Sequence, residues 1–164
     1  MNANKLKTLL VVFSFHHKNT EKIANVFAKV FDAPIKSPKQ INLEELQEYN
    51  LLGFGSGIYH EKHHKALLHL ADKLPQVTNK NAFLFSTSGY TGKGEVAKAH
   101  SHLRKKLQSK GYMVVDEFNC AGFNTNSFLR FIGGMNKDRP NAEDLKRAEE
   151  FAQDLKQKVS TNIL

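Results

Sequence analysis

Hydrophobic and polar positions along this chain switch between two periods. Thr8 to Phe13 (TLLVVF) is apolar but for Thr8 and half β-branched, the composition of a strand buried on both faces, as in a parallel sheet. A polar turn follows, Ser14-Phe15-His16-His17-Lys18-Asn19-Thr20. From Glu21 the period lengthens, and Ile23, Val26, Phe27, Val30 and Phe31 fall on one helical stripe. The turn therefore joins the carboxyl end of a buried strand to the amino end of a helix. Unpaired N–H groups and the positive end of the helix dipole meet at such a turn, so it suits an anion such as a phosphate.

The alternation continues to the end of the chain. Ala33 to Lys36 reads as a short edge strand, because it carries Pro34. Ile41 to Leu46 reads as a single helical turn with Asn42 as N-cap. Asn50 to Phe54 is a third buried strand, running into Gly55-Ser56-Gly57. Lys62 to Lys73 is expected to be helical, with Ala66, Leu67, Leu70, Ala71 and Leu74 on one stripe and Pro75 as the stop. Asn81 to Phe85 is a fourth apolar strand, and Val96 to Lys110 a helix closed by Gly111. Tyr112 to Phe118 is a fifth strand, and Asn141 caps a last helix to about Val159. Strands alternating with helices predict an α/β fold, a doubly wound three-layer sandwich around a five-stranded parallel sheet. No repeat or linker divides residues 1–164, which read as one domain. Cys120 to Pro140 is too long for a simple connection and is a candidate functional segment.

Composition narrows the class. Twenty-four lysines and arginines face 16 acids, a net charge of +8 that attracts nucleic acid, anionic membrane or acidic protein. The excess concentrates in Lys93 to Lys110, with six basic residues, two histidines and one acid, although a solvated helix face accounts for it. The one cysteine, Cys120, excludes an internal disulfide and suits a reducing compartment. No segment approaches the roughly 18 apolar residues of a membrane span. A cytoplasmic protein is the expectation.

In an open parallel sheet, ligands bind outside the carboxyl ends of the strands. Three strand ends here carry unusual loops: Ser14 to Thr20, Gly55 to His60, and Ser86 to Gly92. Together they bring hydroxyls (Ser14, Thr20, Ser56, Ser86, Thr87, Ser88, Thr91), glycines for close backbone approach (Gly55, Gly57, Gly89, Gly92) and two tyrosines (Tyr59, Tyr90). An anion cradle beside two aromatic rings suits a planar ring tethered to a phosphate.

On these motifs the sequence resembles the flavodoxin family over nearly its whole length. Ser14, with Asn19-Thr20 after a buried strand, resembles that family's FMN phosphate loop, here with His16, His17 and Lys18 inside it. Ser56-Gly57-Ile58-Tyr59 resembles the second flavin loop and Ser86-Thr87-Ser88-Gly89, followed by Tyr90, the third. The resemblance implies strand order 2-1-3-4-5, FMN as cofactor, and electron transfer by a flavoprotein that docks redox partner proteins. It places no catalytic residue and no metal. The chain departs from the family in its basic charge and in the histidines and lysine of the phosphate loop. Redox partners with acidic surfaces are therefore one expectation. Another is a positive cluster at the flavin, formed by His16, His17, Lys18, His60, Lys62, His63 and His64, with only Glu61 opposing it.

Other readings of the same residues stand beside this one. Asn19 or Thr20 alone can be a helix cap, and Cys120 a small buried hydrophobe. His60 and His64, four apart, have metal-ligand spacing only if a helix already begins there. Two further functions compete with an electron carrier. One is an NAD(P)H- or quinone-dependent reductase with Cys120 to Pro140 as a lid. The other is a non-enzymatic module whose basic helix around Arg104 binds nucleic acid.

Overall fold

Leu9 and Val11 pack on one side of the first strand and Leu10 and Val12 on the other, and all four are buried. That strand, β1 (Thr8–Phe13), is the second of five parallel strands in a computed structural model that describes residues 5–15, 17–125 and 127–162, without the side chains of Ser127 and Phe128. The elements that follow are α1 (Asn19–Phe31), β2 (Ile35–Lys36), β3 (Leu51–Tyr59), β4 (Lys62–His63), α2 (Lys65–Lys73), β5 (Lys80–Ser88), α3 (Lys93–Ser109), β6 (Tyr112–Ala121) and α4 (Ala142–Thr161). The sheet order is β2-β1-β3-β5-β6, with β4 hooked antiparallel onto the end of β3. With β4 set aside, this is the 2-1-3-4-5 order, and the fold is the flavodoxin-like α/β sandwich.

Two apolar layers hold the sheet. On one face, α1 and α4 cover Leu10, Phe83, Phe85 and Phe118. Phe27 of α1 stands edge-on to Phe83, Phe85 and Phe118, at centroid distances of 5.7, 5.0 and 5.6 Å. On the other face, α2 and α3 cover Leu9, Val11, Phe54 and Leu84. The Phe83 and Phe85 rings need room over β3, and Gly53 and Gly55, their register partners, supply it. A Cβ on Gly55 would lie 2.1 Å from Phe85 Cε2, and one on Gly53 would lie 2.5 Å from Phe83 Cζ.

Several boundaries differ from the sequence pattern. β3 does not stop at Phe54 but runs through Gly55-Ser56-Gly57 to Tyr59, because β1 and β5 keep pairing with it as far as Ser56 and Gly57. The helix expected from Lys62 begins at Lys65. His60 and Glu61 take left-handed conformations (φ 48° and 60°) that reverse the chain, and Lys62–His63 pairs back on β3. His60 and His64 therefore share no helical face. The single turn expected at Ile41 to Leu46 is replaced by short 3-10 turns at Pro38–Gln40 and Glu45–Glu48, and Asn42 Oδ1 accepts from the Glu44 N–H. Asn141 caps α4 as its sequence suggests, in a reciprocal box with Asp144. Among the described residues, no helix is long and apolar enough to cross a membrane.

Two glycines separate space from conformation. Gly55→Ala must displace a buried ring and should cost about 1–3 kcal/mol in urea unfolding. Gly94→Ala, in the exposed first turn of α3 with nothing within 4 Å, should gain up to about 1 kcal/mol. Equal effects at the two positions would refute this packing account.

Candidate functional site

The amino end of α1 is built in an unexpected way. Lys18 enters it in the left-handed region (φ 52°) and offers no side-chain cap. Ser14 caps instead, its Oγ accepting from the Glu21 N–H at 3.2 Å, while the Lys18 carbonyl accepts from the Lys22 N–H. The Asn19 and Thr20 amides occupy the first helical positions, which an α-helix leaves without intrahelical acceptors. Asn19 Nδ2 donates to the Phe123 carbonyl at 2.8 Å. Thr20 Oγ1 and Thr87 Oγ1 lie 2.8 Å apart, so one hydroxyl donates to the other and one proton is left to donate elsewhere.

These groups line a cleft of about 60 Å³ with His17, Gly57, Ile58, Tyr59, Ser88 and Gly89. At roughly 10–15 Å³ per water-sized site, it holds a compact group of a few heavy atoms rather than a ring system. It continues into a larger cleft of about 640 Å³ through the shared residues Ile58, Ser88, Gly89 and Asn124. Tyr59 is on the wall of the small cleft, and Tyr90, 69% exposed, on that of the large one with His60, Glu61, Glu95 and Lys98.

Four predicted residues line neither cleft. Ser14 caps α1, Lys18 is exposed beside the turn, and Ser56 and Ser86 are fully buried beneath the loops. The reason is strand alternation: Gly57 and Thr87 open into the cleft, so Ser56 and Ser86 pack on the opposite face. His16 lies outside the described residues.

Sequence reasoning missed one wall altogether. Phe15, Gly122, Phe123, Asn124 and Thr125 complete the small cleft. The segment after β6 is tied down at both ends of that wall. His17 Nε2 bonds Thr125 Oγ1 at 2.9 Å, the Gly122 N–H donates to the Ser88 carbonyl at 3.0 Å, and Asn124 and Met135 exchange both backbone bonds. A Cβ on Gly122 would lie 2.8 Å from Asn19 Nδ2, so this glycine lets the segment close on α1. The only signal was the unusual length of Cys120 to Pro140.

Beneath the loops lies a polar layer with the outline of a hydrolytic triad. Ser86 Oγ is 2.7 Å from His100 Nε2, and His100 Nδ1 is 3.2 Å from Glu117 Oε2. Arg104 clamps Glu117 through two hydrogen bonds at 2.6 and 2.7 Å. Burial opposes the Glu117 charge, but the hydrogen bonds from His100 and Arg104 outweigh it and hold the carboxyl at about 2. Ser86 and His100 have no exposed surface, so no substrate reaches this serine. His63 is buried against His100. Burial, then His100 and Arg104, hold its imidazole well below the usual range, so it carries no charge at neutral pH. That removes His63 from the expected positive cluster. His64 stacks flat on Phe13 at 3.6 Å and caps α2, and Glu61 pairs with Lys98 at 2.7 Å. Cys120 is buried, and that burial pushes its thiol up to about 12, which makes it a packing residue.

Glu117 sets an acid-stability window. Its folded-state pKa is depressed from 4.5 to about 2, so its stabilisation is present above pH 4.5 and is lost as pH falls towards 2. Glu117→Gln should be less stable at neutral pH and should lose stability more gently across that window. Urea midpoints with the same slope in both proteins would rule out this role.

Comparison with known proteins agrees with this fold. A family model described as a flavodoxin domain matches residues 10–128. An uncharacterised protein of Methanocaldococcus jannaschii is 43% identical over 150 residues, 92% of this chain and 98% of that protein. Among solved structures, flavodoxin 2 from Bacillus cereus superposes with a TM-score of 0.69 at 17% identity, covering 93% of this chain and 99% of the other. A flavodoxin, WrbA-like protein from Agrobacterium tumefaciens gives 0.66 at 15% identity, covering 94% and 98%. At such identities the structures speak for the fold, while the domain match and the methanogen relative speak for descent. The chain belongs to the flavodoxin family.

Proposed function

We propose that this protein binds FMN across the two connected clefts and passes electrons through it to and from protein partners. The observation that carries the reading is the meeting of a small polar cleft at the amino end of α1, with Tyr59 on its wall, and a larger one with Tyr90 on its wall, at the residues they share. The residues fit the cofactor. The Asn19 and Thr20 amides, with the spare hydroxyl proton of the Thr20–Thr87 pair, are donors for a phosphate at the positive end of a helix. Asn19 Oδ1 is buried with no partner among the described residues, and it suits a ribityl hydroxyl as donor. Tyr59 and Tyr90 offer ring faces for stacking. Bound flavin would supply one- and two-electron chemistry, leaving the protein to hold it and to present it to partners.

The rim supports a protein partner. Phe15, Tyr90, Phe131 and Ile132 are the most exposed large apolar residues described, at 63–77%, and all lie on loops after β1, β5 and β6. Lys18 before α1, Lys62 in β4 and Lys93 at the start of α3 stand exposed, which favours a partner with acidic charge. The basic helix α3 is a weaker candidate for a polyanion, since Lys98, Arg104 and Lys106 pair with Glu61, Glu117 and Asp72.

Purified protein should bind FMN with quenched flavin fluorescence and bind riboflavin much more weakly. A folded chain that ignores micromolar FMN would end the flavin reading. Equal affinity for riboflavin would remove the phosphate from the small cleft, and turnover with NAD(P)H or a quinone would favour a reductase over a carrier.

Asn19→Ala/Thr20→Ala should weaken FMN binding by about 2–4 kcal/mol, from lost hydrogen bonds to the charged phosphate and to the ribityl chain. The same variant loses the bonds to Phe123 and Thr87, so apo stability should fall by about 1–3 kcal/mol as well. Thermal unfolding of the apo form and fluorescence titration separate the two. Unchanged affinity in a destabilised variant would make both residues structural.

A further inference from the structure

The flavin reading leaves the buried polar layer without a task. Ser56, Ser86 and Asn119 are register neighbours across the carboxyl ends of β3, β5 and β6. His63, from the β3–β4 hairpin, lies 3.0 Å from Ser56, and His100, from α3, lies 2.7 Å from Ser86. The two rings are 4.8 Å apart, with 1% and 0% exposure.

Chemistry fixes the direction of the hydrogen bonds. Ionised Glu117 only accepts, so His100 Nδ1 bears a proton, and in the neutral ring Nε2 then accepts from the Ser86 hydroxyl. Ser86 Oγ in turn accepts from Asn119 Nδ2 at 2.7 Å. Asn119 Nδ2 also reaches Ser88 Oγ at 3.2 Å, and the Ser88 hydroxyl donates to the Tyr90 carbonyl. A chain that starts at Arg104 thus ends in the third loop. On the other side, the His64 N–H donates to Ser56 Oγ and the Ser56 hydroxyl donates to the Gly57 carbonyl. His63 Nδ1–H is then the donor to Ser56. Its Nε2 is a buried lone pair with no partner among the described residues.

A second proton does not fit His63, where it would create an N–H with no acceptor among the described residues. Of the groups around it, Glu117 alone favours the added charge. From α3, His100 and Arg104 face His63; from β6, Glu117 does, already held by both of them. On the hairpin, Lys62 is exposed and Glu61 is spent on Lys98, while His64 stacks on Phe13.

We infer that His63 and His100 are positioning residues for the candidate site: the two rings clamp the Gly57–Tyr59 and Ser86–Tyr90 segments against α3, and uptake of a proton by His63 frees the β3–β4 hairpin. The inference rests on the flavin reading for the identity of the ligand those segments hold.

Native-state hydrogen exchange on the full apo chain reads this opening directly. An opened hairpin exposes His63, whose imidazole in water protonates near pH ~6.5. The corrected opening constant at residues 57–64 should therefore rise about tenfold between about pH 7.5 and 5.5, for one proton taken up. His63→Asn keeps a donor for Ser56 but takes no proton, and its profile should be shallower, the remainder coming from His64, which burial also holds below its usual range. Should that variant not fold, the ¹⁵N spectrum of the wild-type imidazoles decides, with the His63 ring expected neutral and protonated at Nδ1 at pH ~7. A flat wild-type profile, an equally steep His63→Asn profile, or a charged His63 at that pH overturns the inference. Saturating FMN should suppress the opening. If FMN binds and the opening is unchanged, the rings do not position the site and the inference fails. If FMN does not bind while the apo profile is steep, the clamp stands and the flavin reading falls.

Discussion

A parallel sheet covered by helices on both faces leaves only the ends of its strands in contact with water. In this chain that constraint is severe, because α1 and α4 seal one face with a cluster of phenylalanines and α2 and α3 seal the other with leucines. Polar chemistry can gather only where the strands run out, and at their carboxyl ends it meets the positive end of α1. The cleft follows from the same alternation that builds the core. Thr87 faces the side of the sheet occupied by Phe85 and α1, and finds Thr20 there. Ser86 faces the other side and finds His100.

How far the sequence could be read depends on which groups local pattern reaches. The continuous apolar runs at Leu9 to Phe13 and Ala82 to Phe85 told of burial on both faces, and the alternation of strands and helices told of a parallel sheet. The strand–turn–helix around Asn19 also pointed to the small cleft at the amino end of α1, since that inference needs only neighbours in sequence. Ser56 and Ser86 were harder. Their loop composition suggested ligand contacts, but β3 and β5 continue to Tyr59 and Ser88, and pairing with neighbouring strands decides that, not local propensity.

Long-range partners left no trace in the pattern. His100 sits mid-helix, where its period marks it only as a buried position, and Glu117 reads as an ordinary strand carboxylate. They meet because the register of β5 on β6 places Ser86 opposite Asn119, with Glu117 earlier on the same strand. The hairpin at His60–Glu61 was hidden for a different reason. Left-handed conformations at two consecutive non-glycine residues have no compositional mark, and the leucine stripe of α2 drew the helix start three residues too early.

A buried polar layer is a costly way to support a site, since an apolar filling of the same shape avoids the desolvation of a carboxylate and two imidazoles. What it adds is direction. Leucine and phenylalanine fill space from many angles, whereas the run Asn119–Ser86–His100–Glu117 is joined by hydrogen bonds that need particular directions. The segments above it carry glycines at 57, near the end of β3, and at 89, just past β5, which restrict the backbone less than other residues do. Fastening each loop through a hydroxyl to a ring on another element restricts that freedom without placing bulk in the clefts. The same exactness makes the layer intolerant of one added proton. Rigidity at neutral pH and release in acid are thus two consequences of one hydrogen-bond pattern.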